Sequence, residues 1–338
     1  MVKRQGTHRF TKEEAGLRLM HTAHAKASNF YAMYSSILGG IVTDPAYMVL
    51  PLDDHMVHRG HGVFDTATLA HGMLYQLDQH LDRLLHSAEM ARIPLPSPRA
   101  ELRQIILDTA AASGQREGSA RYWLSAGPGG FGLGPTECVG SSFYVVVFKA
   151  ENYPDSFYTE GVKVVTSTIP IKPPFFAKVK STNYLPNVLV VIEAKDLGAD
   201  NGIFVDAGGK VAESSNMNVA FVTKERVFLH PRFDAVLSGI TVQRMLHLAR
   251  RLVEEGALKD VVVADVSVAQ GRAAAEMLLM GSSIKVAPVV QWDGRPIGDG
   301  RPGPIGRRLL ELWHEDVRGA ADQLVPVPYE NFAGEPSA

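Results

Sequence analysis

Apolar residues recur along this chain at two spacings. Helical spacing is clearest in HLDRLLHSAEMARI, where Leu81, Leu84, Leu85 and Ala88 share one face and Arg83 and Ser87 fall off it. Pro94, Pro96 and Pro98 stop this helix, and another is predicted over 99–113. Runs rich in β-branched and aromatic residues predict strands at 45–52, 62–69 and 72–77, then at RYWLSA and SSFYVVVFK on either side of a glycine-rich loop. Farther along lie the strand GVKVVTSTI, a proline-rich turn at 170–174, and an apolar, buried helix over 186–197 closed by Gly198. The hairpin GIFVDAGGKVAES follows, then strands NVAFV and RVFLH, and a helix over 241–255. Strands VVVADV, EMLLMG and KVAPVVQWDG precede a terminal helix at 304–318.

Four segments emerge. Residues 1–29 form an arm whose helix, 11–26, opens on a capping box of Thr11 and Glu14; packing on a dimer is its expected role. Residues 30–148 form a first domain. The polar, aperiodic stretch 149–158 reads as a linker, and 159–338 form a second domain. Strands outnumber helices and the two are interspersed without a βαβ repeat, which predicts an α+β fold.

Composition narrows the function. The chain has 338 residues, 46% hydrophobic and 21% charged, with a net charge of −2. That balance speaks against a nucleic-acid binder. One cysteine, Cys138, excludes a disulfide framework and a cysteine-rich zinc site, and fits a cytoplasmic protein. No apolar run reaches the roughly 18 residues of a membrane span, and MVKRQGTHRFTKEEAG has no secretory apolar core.

Several motifs have a plain reading beside a chemical one. GPGGFG matches a dinucleotide fingerprint in letters, but a strand follows it where that site needs a helix, so it reads as a strand–strand loop able to cover a pocket. DDHMVHRGHG spaces His55, His58 and His61 three apart beside two aspartates. It lacks helical support and an H-E-x-x-H pattern, so no metal is expected. No nucleophile elbow or Walker motif appears. In LSGITVQRMLHLARRL, Ser238 and Gly239 precede an amphipathic helix whose first amides, near Ile240 and Thr241, could hold a phosphate; MGSS at 280–283 ends a strand with small hydroxyls. Lys180 and Glu213 each read alone as solvated charges. Together they suggest a lysine that forms a Schiff base and a carboxylate that holds a pyridine nitrogen.

The order HRGHGVFDTATL, QHLDRLLHSAEMARI, VKSTNYL, GIFVDAGGKVAESSNMNVAFV, LSGIT and MGSSIKVAPVVQWDG resembles the class IV, or fold type IV, pyridoxal-phosphate aminotransferases, over about 45–315. The wording of PLDDHMVHRGHGVFDTA and RYWLSAGPG looks most like plant-type D-amino acid transaminases. The resemblance implies pyridoxal 5'-phosphate between two α+β domains in a homodimer whose partner loops complete each site. It implies ping-pong transfer between a D-amino acid and a 2-oxo acid. Lys180 would hold the cofactor as an aldimine and carry the substrate Cα proton, Glu213 would face the pyridine nitrogen with Asn218 in support, and Tyr184 would reach the cofactor phenolate. Arg83, the amides of Ile240 and Thr241 after Gly239, and Ser282 would hold the phosphate, and Leu237 would pack on the ring.

The sequence departs from the bacterial D-alanine enzymes of this family where they trap the substrate carboxylate. Phe64 and Ala126 stand there instead of a tyrosine and an arginine. A carboxylate still needs a cation or several donors. Arg59 is the first candidate, Arg121 the second and His55 the third. Branched-chain L-amino acid transaminase, (R)-amine transaminase and aminodeoxychorismate lyase share the cofactor and stay open. A non-enzymatic binding protein on this fold is disfavoured by the intact Lys180 and Glu213.

Overall fold

The computed structural model describes residues 7–21, 27–150 and 152–332. Helix α1 (Lys12–His21) has the expected capping box, Thr11 N–H donating to Glu14 at 2.8 Å and Glu14 N–H to Thr11 Oγ1 at 3.2 Å. The rest of the expected helix, 22–26, lies outside the described residues. Strands β1 (Phe30–Ser35) and β2 (Gly40–Val42) follow. The strand expected at 45–52 does not form. Pro45 and Pro51 cannot donate to a ladder, and Pro45–Tyr47 makes a 3-10 turn capped by Asp44. Asp54 then caps a one-turn helix, α2 (His55–Arg59), ended by left-handed Gly60, so the histidine segment has the helical support its sequence hid.

Next come β3 (Gly62–Ala70), β4 (Met73–Tyr75), α3 (Leu77–Met90), α4 (Arg99–Ala112), β5 (Gly118–Ser125) and β6 (Ser142–Phe148). Leu81, Leu84 and Ala88 of α3 are buried as predicted and Leu85 partly so. Ser87 is also fully buried, because α3 packs on a second neighbour: Ser87 Oγ accepts from Lys180 N–H at 3.2 Å. Part of the expected linker is ordered as α5 (Ser156–Thr159), and Tyr153, Phe157 and Tyr158 pack on the core that follows.

The chain continues through β7 (Val162–Thr166), α6 (Pro174–Ala177), α7 (Leu185–Asp196), β8 (Asn201–Val205), β9 (Val211–Ser214), β10 (Asn218–Val222) and β11 (Val227–His230). After these come α8 (Ile240–Glu254), β12 (Asp260–Val263), α9 (Val268–Arg272), β13 (Glu276–Gly281), β14 (Lys285–Trp292), β15 (Arg295–Pro296), α10 (Pro304–Gly319) and β16 (Leu324–Pro326). Helix α10 is therefore not the last element.

Two sheets organise these elements. The first runs β16-β4-β3-β5-β6-β1-β2, and α3 and α4 cover one face over Leu69, Leu84, Ile106 and Tyr122. Because β16 joins it, residues 324–326 belong with the first unit, a correction to a second domain running to the end of the chain. The second runs β12-β11-β10-β13-β14-β7-β8-β9 with β15 beside β14, and β9 returns to pair with β10. Helices α8 and α10 bury Met245, Leu248, Leu309 and Trp313 against one face. The fold is α+β, as the interspersed pattern implied.

Helix α7 departs from its expected setting. Asn187, Val190 and Ala194 are buried, but Leu185, Val188, Leu189 and Ile192 are exposed, and so are Phe175 and Phe176 of α6. The helix is apolar on more sides than this chain covers. Between the sheets, buried Asp316 of α10 accepts from the Tyr75 hydroxyl at 2.5 Å and from Arg244 Nε at 2.9 Å, which ties β4 to α8 and α10.

Candidate active site

A cavity of about 660 Å³ opens where the two sheets meet, and Lys180 lines it. The lysine sits in an extended stretch clamped to β3: Phe64 N–H donates to Lys180 O at 2.9 Å and Thr182 N–H to Gly62 O at 2.9 Å. With Ser87 on its own amide, Lys180 is fixed on both sides of the backbone. Its Nζ lies 3.3 Å from the Tyr184 hydroxyl and 4.7 Å from the Phe64 ring centroid. Burial, helped by the nearby Arg83 cation, pulls the ammonium down to about 8. A large share of neutral amine is then present near pH 8.

Glu213 lies on β9 directly opposite Asn218 of β10. Its carboxylate accepts from Leu237 N–H at 3.3 Å, while Asn218 Nδ2 donates to Leu237 O at 3.0 Å, so one backbone unit holds both. Burial raises the Glu213 carboxyl to about 7 against the pull of Lys172, Leu237 N–H and Lys180. Among the described residues it has no ion-pair partner, and a protonated ring nitrogen would supply the cation it lacks. Burial likewise raises the Tyr184 phenol to about 12, so it serves as a neutral donor.

At another wall, Gly239 caps α8 and leaves the helix's first amides, at Ile240 and Thr241, facing the cavity. A Cβ on Gly239 would come within 1.9 Å of Asn218 Oδ1, so any larger residue here would displace the Asn218 side chain. Thr241 Oγ1 stands 3.4 Å from Ser282 Oγ, which brings the two hydroxyls to the same end as the amides. Arg83 reaches this end from α3, donating to Ser238 O at 3.1 Å. A helix N-terminus, two hydroxyls and a guanidinium suit a phosphate. The residues therefore fit pyridoxal 5'-phosphate at each of its polar groups.

Sequence reasoning missed what orders Arg83. Asp65, fully buried on β3, accepts from Arg83 Nε and Nη2, both at 2.8 Å, and from His80 Nδ1 at 2.7 Å. Burial alone would raise the Asp65 pKa, but Arg83 and His80 hold it far below the usual carboxylate range. An acid inside an apolar strand, one residue after Phe64, was the available signal. Lys172, in the proline-rich turn, also lines the cavity and was not singled out.

The carboxylate candidates separate. Phe64 and Arg121 line the cavity; Arg121 Nε donates to Thr66 Oγ1 at 2.9 Å, and its guanidinium lies 5.5 Å from the Phe64 ring centroid. Arg59 and His55 do not line it. Arg59 is exposed on α2 and donates to Phe131 O at 2.7 Å, and His55 meets His61, Nδ1 to Nδ1, at 3.0 Å. Helix α2 thus grips the 127–132 loop, whereas β5 carries Arg121 into the cleft. Among the described residues no group of three or more histidine, cysteine or acidic side chains is arranged to hold a metal ion.

Comparison with known proteins agrees with this geometry. The profile of the Amino-transferase class IV family matches residues 62–292. The D-amino-acid transaminase, chloroplastic, of Arabidopsis thaliana is 57% identical over 304 residues, covering 89% of this chain and 80% of its own. The D-alanine aminotransferase of Bacillus licheniformis is 25% identical over 281 residues, covering 81% of this chain and 93% of its own. Among solved structures, a branched-chain amino acid aminotransferase with pyridoxamine 5'-phosphate superimposes with a TM-score of 0.80 at 25% identity, over 88% of this chain and 99% of that one.

Proposed function

The chain belongs to the class IV aminotransferases, and from that premise we propose that it transfers an amino group between a D-amino acid, such as D-alanine, and a 2-oxo acid. The observation that carries the chemistry is Lys180, half-buried beside the Tyr184 hydroxyl in the cavity that Glu213 also lines. The choice of a D-amino acid rests on the 57% identity to a protein named for that activity.

Pyridoxal 5'-phosphate, the family's cofactor, supplies an aldehyde that condenses with amines and a ring that accepts an electron pair. The chain's own residues do the rest. Arg83, Thr241, Ser282 and the amides of Ile240 and Thr241 would take the phosphate, and Leu237 would border the ring. Glu213, steadied through the Leu237 backbone, would accept from the protonated ring nitrogen. Tyr184 would donate toward the phenolate side. Lys180, whose pKa near 8 suits it to act as both acceptor and donor, would take the proton from the substrate Cα and deliver it to the carbon of the cofactor's aldehyde group, across the nitrogen that joins the two. Arg121 receives the substrate carboxylate with Phe64 beneath it. Arg59 and His55 stand outside this cavity and take no part in it.

The two units, 30–148 with the last strand and 159 onward, are read as domains that meet at this cavity. The exposed apolar side of α7, with Phe175 and Phe176, supports a homodimer, because an apolar surface of this kind is normally covered. No helix among the described residues is long and apolar enough to cross a membrane. A cytoplasmic setting is proposed from the single cysteine.

The test is spectroscopic. Purified protein mixed with pyridoxal 5'-phosphate is expected to show a band at about 400 nm. D-alanine should bleach it faster than L-leucine or (R)-1-phenylethylamine. Bleaching led by L-leucine would replace the proposal with a branched-chain L-amino acid activity, and absence of the band would remove the enzyme reading.

A further inference from the structure

The two sheets are pinned to each other behind the phosphate end of the cavity. Tyr75 belongs to β4 of the first sheet, yet its side chain is buried in the core that α8 and α10 make on the second. Its ring meets Trp313 edge-on, with 6.0 Å between centroids. Its hydroxyl donates to Asp316 Oδ2 at 2.5 Å. Arg244 of α8 grips the same carboxylate at both oxygens, Nε to Oδ2 at 2.9 Å and Nη2 to Oδ1 at 2.5 Å. The acceptor is therefore fixed within the second unit, and Tyr75 reaches it from the first. Burial, reinforced by Asp316, pushes the phenol up, so it stays protonated and donates.

A buried ion pair seldom adds net stability over apolar packing; its best-attested use is to fix the register of the elements it joins. The elements joined here lead directly to the phosphate ligands. After Tyr75 the chain turns at Gln76, at a left-handed φ of 53°, into α3. Arg83 stands six residues beyond Leu77 on that helix, a rise of about 9 Å. Arg244 stands four residues, about 6 Å, beyond Ile240, whose amide opens α8. Over one or two turns a helix moves as a rigid piece, so a displacement at the pin is carried to the cavity wall.

We infer that Tyr75 is a positioning residue for the cofactor phosphate: its hydroxyl, bound to the Arg244–Asp316 pair, sets where Arg83 on α3 stands relative to the first turn of α8. The near side of the same gap is bridged by Arg83 Nη1, which donates to Ser238 O at 3.1 Å. A phosphate competes for that guanidinium, so this bond cannot hold the spacing by itself once the phosphate is bound. The Tyr75 contact can, because Tyr75 does not line the cavity and no ligand there displaces it. The inference rests on the reading of the cavity as a pyridoxal-phosphate site.

The test measures binding of pyridoxal 5'-phosphate and of phosphate-free pyridoxal to the full chain by equilibrium dialysis, read at the visible band, with thermal melting of each variant. Tyr75→Phe keeps the ring and removes the hydroxyl. Leu312→Ala truncates the same core on α10 and leaves the hydroxyl contact intact. Arg83→Ala and the double variant with Tyr75→Phe complete the set. Tyr75→Phe should cut the preference for the phosphate-bearing form about fivefold, with pyridoxal itself bound as in wild type. Leu312→Ala should lower the melting temperature at least as far and leave the preference unchanged. In the Arg83→Ala background, Tyr75→Phe should change the preference less than about twofold, because it acts through that residue. A preference unchanged in Tyr75→Phe, or lost equally in Leu312→Ala, overturns the inference and leaves the cofactor reading standing, since the hydroxyl then serves stability alone. A full further loss in the Arg83→Ala background overturns it as well. A wild-type protein that shows no visible band overturns the cofactor reading, and the inference with it.

Discussion

Arg83 and Asp65 face each other with two hydrogen bonds of 2.8 Å, one reaching out from helix α3 and the other from strand β3. The aspartate is fully buried and also carries His80. Arg83 can therefore present its remaining donors to a phosphate without choosing among rotamers. Asp65→Asn keeps the shape but leaves a buried guanidinium uncompensated, at a cost of about 3–5 kcal/mol. A lowered melting temperature together with weaker cofactor retention is expected. An unchanged melt would mean that Arg83 is ordered by something else.

Lys180→Ala should abolish the visible band and reduce amino transfer by at least about 10³-fold, while leaving the melting temperature within a few degrees of wild type. Stopped-flow half-reactions with D-alanine check it. Residual turnover near the wild-type rate would reassign the nucleophile.

Arg121→Ala should raise KM for D-alanine and for 2-oxo acids about tenfold or more, with a smaller effect on cofactor binding. Arg59→Ala should change KM less than about threefold. The reverse ranking would mean that α2 serves the substrate across a dimer contact, and that the first candidate drawn from sequence was the right one.

His230 makes the protein sensitive to acid. It is fully buried and stacked on Phe233 at 4.5 Å, and burial, outweighing a contact with the Pro231 backbone, pulls its pKa down to about 4. As pH falls below the ordinary value of about 6.5, the unfolded chain takes up a proton that the folded chain refuses until about 4. Stability contributed by the neutral ring is thus complete above pH 6.5 and lost toward pH 4, by about 3 kcal/mol in all. Melts of His230→Leu should show a shallower decline over that window than melts of wild type. Parallel curves would show that other groups govern the acid limb.

The sequence carried the parts of the site that depend on local spacing. Lys180 before an apolar helix, Glu213 and Asn218 five apart around a turn, and Gly239 ahead of Ile240 and Thr241 are each legible from a short stretch of chain. What it concealed depends on distant partners. Asp65 reads as an oddity in a strand until α3 brings Arg83 and His80 against it. Ser87 reads as a solvent-side residue until the Lys180 segment packs over it. Helix α7 has the composition of a core helix, yet in one chain its Leu185, Val188 and Ile192 remain outside; hydrophobicity marks a residue for burial without saying which chain will bury it. Arg59 and Arg121 were equivalent as letters, and β5 alone directs Arg121 into the cleft. Pro45 and Pro51 were visible signals against a strand at 45–52 and were outweighed by its apolar character.

Strand β16 adds an edge to a sheet whose other strands all precede residue 149. During synthesis the first unit emerges first, with β4 exposing an unpaired edge until Leu324–Pro326 leaves the ribosome. The second unit, although made later, has all its strands before the first is finished. Residues 324–326 are thus the last strand of a sheet that began near residue 30, and a nascent protein arrested before them carries an open β edge beside an otherwise assembled cleft.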